Sequence, residues 1–234
     1  MATMLQKHGF QNLRIWPRGV DTALFHPERR SQELRTSWLA DRERPNEMTV
    51  LLYVGRISWE KNLHLLTQAY RAMDRGHCHL VIVGDGPALK EIQQDVADLP
   101  VTFTGYLKGE QLASAYASAD IFAFPSTSET FGQVVLEAMA SGLPVVGVLS
   151  EGVCDLVRNE QTGLMLDMQG LSEDEQVHGY LAYLQRLIQS ASVRHAMGHA
   201  ALLEASKRSW SEAMDCLLCG YREALEERSP LIAA

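Results

Sequence analysis

The sequence is poor in several things that would have settled its class. No apolar run reaches the ~20 residues that a membrane-spanning helix needs, and the N-terminus lacks the apolar core of a signal peptide. Cysteine is limited to four residues, too few for a disulfide framework, so a reduced, cytoplasmic chain is the expectation. Positive charge is in deficit. The 21 Lys and Arg face 29 Asp and Glu, a net charge of −8, which argues against nucleic acid as a partner. A phosphorylated ligand stays open, because it needs only a few local donors. There is no D-x-D to hold a divalent metal on a diphosphate, and no G-x-S-x-G nucleophile elbow. The run GDGP, 84–87, continues to Leu89 without the third glycine of G-x-G-x-x-G, which argues against a nicotinamide site.

What is present is an alternating pattern. Apolar runs over 48–55, 79–86, 101–105, 120–126, 143–148 and 162–167 read as strands. Helical spacing fills the gaps at 62–73, 87–99 (with Pro87 in the first turn), 109–119, 131–142 and 152–159. Such alternation predicts an α/β fold, a Rossmann-like parallel sheet with helices on both faces. Three helices follow, over 172–189, 192–206 and 210–227. Before residue 48 the chain reads as the end of a helix (2–9), a strand (12–17), a Pro- and Arg-rich connection and a helix over 31–42.

Ligands in parallel sheets bind beyond the carboxyl ends of the strands, and the unusual residues cluster there. The richest stretch is SETFGQVVLEAMASG, 128–142. A helix opening near Phe131-Gly132 presents unpaired N–H groups and positive partial charge, a seat for an anion such as a diphosphate. Gly132 lets a ligand approach the backbone closely. Glu129 in the preceding loop and Glu137 inside the helix could each accept hydroxyls. That set suits a nucleotide sugar; the competing reading is a solvated loop acid and a surface charge. In GRISWEKN, 55–62, Arg56 follows a strand and Lys61 opens a helix, a pair able to hold phosphate oxygens or to be ordinary surface charge. GDGP reads foremost as a tight turn.

Other signals carry less. Cys216-x-x-Cys219 has no second pair at metal spacing, and core packing is its stronger reading. His195 and His199 stand four apart without the Glu of H-E-x-x-H. Glu173-Asp174-Glu175 after Ser172 suits a first helical turn.

Taken in order, VGRISWEKN, VIVGDGP, VTFTGYLKGEQLASAYASADIFAFPS, SETFGQVVLEAMASGLPVV and TGLMLD resemble the C-terminal half of family-four retaining glycosyltransferases of the GT-B fold. The likeness runs from WPRGVDTALFHP, near residue 16, to the SW-x-x-A helix at Ser209, in the manner of the mannosyltransferase and sulfolipid-synthase branch. It implies that Arg56 and Lys61 bind the donor diphosphate and stabilise the leaving group. Glu129 and Glu137 match the E-x7-E motif, the first meeting the donor sugar and the second the ribose. It further implies that amides at Thr130, Phe131 and Gly132 face sugar and phosphate, that Tyr106 and Leu107 meet the base, and that Gly55, Gly84 and Gly86 line the cleft. One departure is Ser150-Glu151-Gly152, where the family has paired glycines. No cofactor or metal is implied; the donor is a UDP or GDP sugar, and the acceptor a lipid or glycan. Residues 1–20 would be the tail and linker of a missing N-terminal domain, 21–208 the nucleotide-sugar domain and 209–234 a C-terminal helix. The resemblance thus implies a hexosyl transferase, inactive as this piece alone and possible at a membrane surface when whole. A binding module without activity and a GT-B epimerase are the other classes; E-x7-E with R-x4-K argues against the epimerase.

Overall fold

Runs of Val, Ile and Leu cannot stay in water, and β-branched residues suit a pleated sheet buried on both faces. Six of them become strands in the computed structural model, which describes residues 2–11, 13 and 16–228. The strands are β1 (Thr49–Val54), β2 (Cys78–Val83), β3 (Val101–Gly105), β4 (Ile121–Phe124), β5 (Val145–Val148) and β6 (Gly163–Leu166). All pair in parallel, in the order β3-β2-β1-β4-β5-β6. Strands other than β3 are wholly buried; β3, at one edge, is half-buried throughout.

The helices are α1 (Ala2–Lys7), α2 (Gln32–Trp38), α3 (Leu63–Ala72), α4 (Leu89–Asp95), α5 (Gly109–Ser118), α6 (Gln133–Ala140), α7 (Glu151–Cys154), α8 (Glu173–Gln189), α9 (Ala191–Ala205) and α10 (Trp210–Arg228). Helix α3 packs with α4 and α8; α5 packs with α2 and α6, and α6 with α9. Right-handed crossovers put α3 and α4 on one face and α5 and α6 on the other, because β1 to β3 run outward one way and β4 to β6 the other. The centre of the sheet is therefore a point where strand order reverses, between β1 and β4, and a crevice opens above it. No helix among the described residues is long and apolar enough to cross a membrane.

Some boundaries differ from expectation. Helix α4 starts at Leu89, not Pro87, because Ala88 N–H is tied to the Ile57 carbonyl (3.1 Å) and residues 86–88 form a turn. Lys61 does not open α3. It ends a short 3-10 turn, and Asn62, in the left-handed conformation that Asn tolerates, intervenes. Cys216 and Cys219 are exposed, not in the core, because the outer part of α10 has little packed against it. The strand expected over 12–17 falls partly outside the described residues. Trp16 donates to the Ala213 carbonyl (3.0 Å), and Val20 bridges to Ser209, so the chain before the sheet lies on the start of α10. Ser172 and Ser209 each form reciprocal caps with a glutamate three residues on.

Candidate active site

Aromatic residues are few, yet five of them form one connected series beneath the crevice. Phe25 meets Tyr116 edge-on (5.7 Å between centroids), Tyr116 meets Phe122, Phe122 stacks on Phe124, and Phe124 on Tyr53. Two members carry a polar handle to the site. Tyr53 donates to the Arg56 carbonyl (3.0 Å), and Tyr116 donates to Glu137 Oε2 (3.1 Å). Burial, then the nearby glutamates, pushes both phenols up, so they stay neutral donors. Neither tyrosine was singled out from the sequence.

Loops beyond the strands are laced together. Gly55 N–H reaches Val83 O, Ile57 N–H reaches Asp85 O, and Gly84 N–H reaches Gly105 O. Around them lies a cleft of about 610 Å³. It is lined by Gly55, Arg56, Gly84, Tyr106, Leu107 and Glu137 of the expected set, joined by Phe25, Asp85, Lys108, Leu112 and Val134. Arg56 is exposed, and Tyr106 is 75% exposed at the mouth. Gly86 is not on this wall. A Cβ there would stand 2.2 Å from the Ile57 carbonyl, so this glycine serves the crossing of two loops. Another cavity, about 310 Å³, holds Arg30, Asp120, Arg194, His195 and His199. It sits by the Asp120 end of β4, away from the carboxyl ends. Among the described residues no group of three or more His, Cys, Asp or Glu could hold a metal.

The other expected residues gather at the start of α6, whose Val134 and Glu137 border the cleft. Gly132 caps this helix at φ +65°, a conformation that favours glycine, and an added Cβ would stand 2.5 Å from Leu156 Cδ1. Glu129 Oε1 accepts from the N–H groups of Gly132 (3.1 Å) and Phe131 (3.4 Å). Its Oε2 accepts from Lys61 Nζ (3.2 Å). Burial pushes this carboxyl up, but the Gly132 amide, Lys61 and the Phe131 amide together hold it below the usual glutamate range. Lys61, Glu129, Thr130, Phe131 and Gly132 thus stand beside the cleft and do not line it. Thr130 is exposed, and Phe131 carries the Arg18 guanidinium 4.4 Å over its ring. Gly152 N–H donates to the Glu129 carbonyl (3.1 Å), and a Cβ on Gly152 would stand 2.5 Å from that oxygen. The Ser150-Glu151-Gly152 departure therefore keeps the glycine that this contact requires. Arg18 and Gly152 are neighbours that only the folded chain brings here.

Glu137 is a carboxylate held at a cost. Desolvation raises its pKa, while Tyr116 and Gln133 pull the other way without cancelling it. A raised carboxyl favours the folded state while protonated, and that contribution is lost as pH rises through its folded pKa. Glu137→Gln should therefore be more stable than wild type at neutral pH, by about 1 kcal/mol. The two should converge below about pH 4, where both side chains are neutral. Urea titrations at the two pH values check this; equal stability at pH 7 contradicts it.

The family of Glycosyl transferases group 1 matches residues 35–204. The sulfoquinovosyl transferase of Arabidopsis thaliana is 39% identical over 202 residues, 86% of this chain and 38% of that protein. A GDP-mannose-dependent α-mannosyltransferase of Corynebacterium glutamicum is 37% identical over 230 residues, 97% of this chain and 52% of that one. This chain thus spans about half the length or less of these curated relatives. Among solved structures, Anabaena HepE in complex with UDP and glucose superposes with a TM-score of 0.73 at 21% identity, over 97% of this chain and 60% of that one. A glycosyltransferase from Rickettsia africae gives 0.76 at 16%, over 95% and 62%. The parallel sheet, the order of the motifs and the matched span together make this chain a member of the group 1 glycosyl transferases, with the Rossmann-like fold of their GT-B architecture.

Proposed function

We propose that this chain is the donor-binding half of a retaining hexosyl transferase. The observation that carries the reading is the start of α6. On one side, the amides of Phe131 and Gly132 at its N-cap, together with Lys61 from the turn before α3, meet the Glu129 carboxylate; on the other, Glu137 faces a cleft at the carboxyl strand ends. A nucleotide-diphosphate sugar, with UDP or GDP as nucleotide, fits this division of labour. Its base would lie by Tyr106 and Leu107, its ribose on Glu137, and its diphosphate between Arg56, Lys61 and the amides at 130–132. Gly55 and Gly84 line the cleft that the nucleotide would enter. The relatives' names support the class: some are GDP-mannose-dependent, and structural neighbours are complexes with UDP and sugar.

Breaking the bond to the diphosphate builds negative charge on the leaving phosphate. Arg56 and Lys61 would stabilise it, the preorganised electrostatics that dominates such steps. No side chain in the site is placed as a nucleophile, so the acceptor would attack from the face the phosphate leaves, which retains configuration. The acceptor, a lipid or glycan, would be held by a further part of the enzyme, and association of the whole enzyme with a membrane surface would follow from a lipid acceptor. On this reading residues 1–20 are the connection to that part, 21–208 the donor domain and 209–234 the closing helix. Alone, the 234 residues would bind donor and transfer little. An inactive binding module is the second reading, favoured by the share of the relatives' length that this chain covers.

Thermal unfolding and calorimetry with UDP, GDP, ADP and their sugars test the reading. Binding to the native state raises the midpoint by mass action. One nucleotide should raise it, and Glu137→Ala and Arg56→Ala should each lose the shift. A shift that survives both substitutions would place the ligand elsewhere.

A further inference from the structure

We infer that Glu129 competes with the donor diphosphate for its seat, and so makes the site prefer a nucleotide that still carries its sugar. The inference rests on the donor-site reading above. The chain by itself folds with the Glu129 carboxylate on the Phe131 and Gly132 amides and on Lys61, at 3.4, 3.1 and 3.2 Å. These are the donors that a phosphate would use: two N–H groups at a helix start and one ammonium. The contact is well made. Both side chains of the pair are only 17% exposed, so the ion pair is largely shielded from water and salt.

One N–H donates to one strong anion at a time. A diphosphate can take the seat only when the carboxylate leaves it, and its apparent affinity falls by the fraction of molecules in which the seat is open. The displaced carboxylate then needs new donors, since a partly buried anion without partners is costly. A hexose on the β-phosphate supplies hydroxyl donors beside the same loop. A free nucleoside diphosphate supplies none there. Exchange of the carboxylate is therefore compensated for the loaded donor and uncompensated for the spent one. After transfer, Glu129 returns to its amides as the hydroxyls depart, and the product is expelled. Glu129 acts here as a specificity-determining residue, distinguishing loaded from spent nucleotide without contacting the base.

Calorimetry on this chain with UDP, GDP, UDP-glucose and GDP-mannose tests the proposal in wild type, Glu129→Gln and Glu129→Ala. The variants should bind the free diphosphate about tenfold tighter than wild type, as the seat is no longer defended, and should bind the matching nucleotide sugar no tighter. The preference for loaded over spent donor then shrinks or inverts. Amide spectra without ligand give a second readout: the Phe131 and Gly132 signals should move in Glu129→Gln. Free diphosphate binding the variants no tighter than wild type would overturn the competition, as would unmoved amides. If no nucleotide binds any of the three proteins, or Arg56→Ala leaves binding untouched, the donor-site reading itself fails and this proposal goes with it.

Discussion

Gly84→Ala lowers the unfolding midpoint by about 10 °C, and the cleft loses its shape in what remains folded. Gly84 follows β2 at φ +138°, and a Cβ there would lie 2.0 Å from the Gly55 carbonyl oxygen. The neighbour is backbone and cannot swing aside. Holding an L-residue in that conformation costs about 1–3 kcal/mol. Pushing the 55–57 loop away costs about 1–3 kcal/mol more. Taken together the loss is about 4 kcal/mol, and each kcal/mol is worth about 2–4 °C in a chain of this size. The displaced loop carries Arg56, whose carbonyl is fixed by Tyr53, and Ile57, which anchors both Asp85 and Ala88. Calorimetric scanning measures the midpoint. A variant within about 2 °C of wild type would show that these loops relax freely.

Asp120→Ala should cost about 3–5 kcal/mol, because it leaves buried charge without its partner. Asp120 Oδ2 accepts from Arg35 (2.7 Å) and from the Val50 amide (2.7 Å), and Oδ1 from Arg30 (3.2 Å). The Arg35 and Asp120 side chains are 9% and 14% exposed, so water replaces little of what is lost. This network joins α2 and the entry of β4 to the entry of β1, at the end of the sheet opposite the site. Its removal should destabilise the fold without selecting against ligand contacts. Asp120→Asn, which keeps an acceptor, should lose less. Urea unfolding of both variants and of Arg35→Met in a double-mutant cycle measures the coupling; additive effects would show that the pair is worth little.

Much of the architecture was legible because its signals are local. An apolar run of five or six residues between helical spacings has few alternatives, and the helix that ends by Gly142, the acidic first turn after Ser172 and the strand at 101–105 lie where the pattern put them. The errors came at ends, where a distant partner decides. Pro87 suits a first helical turn, but the Ile57 carbonyl holds Ala88 and delays the helix. The C-x-x-C at Cys216 has helical spacing that fits a core, yet exposure depends on what packs against α10.

By itself the sequence determined the parallel sheet, the helices between its strands and the clustering of Arg56, Lys61, Glu129 and Glu137 at carboxyl strand ends, because chain connectivity and side-chain period dictate these. Only the tertiary structure decided which of these residues face the cleft, and what they touch. Glu129 turns to the Phe131 and Gly132 amides just ahead of α6 and to Lys61, because a nearby unpaired N–H group attracts the closest anion. Tyr116 and Arg18 join the site from distant parts of the chain, and Tyr53 from within the strand below it. No local pattern marks them, since their roles exist only where folded segments meet.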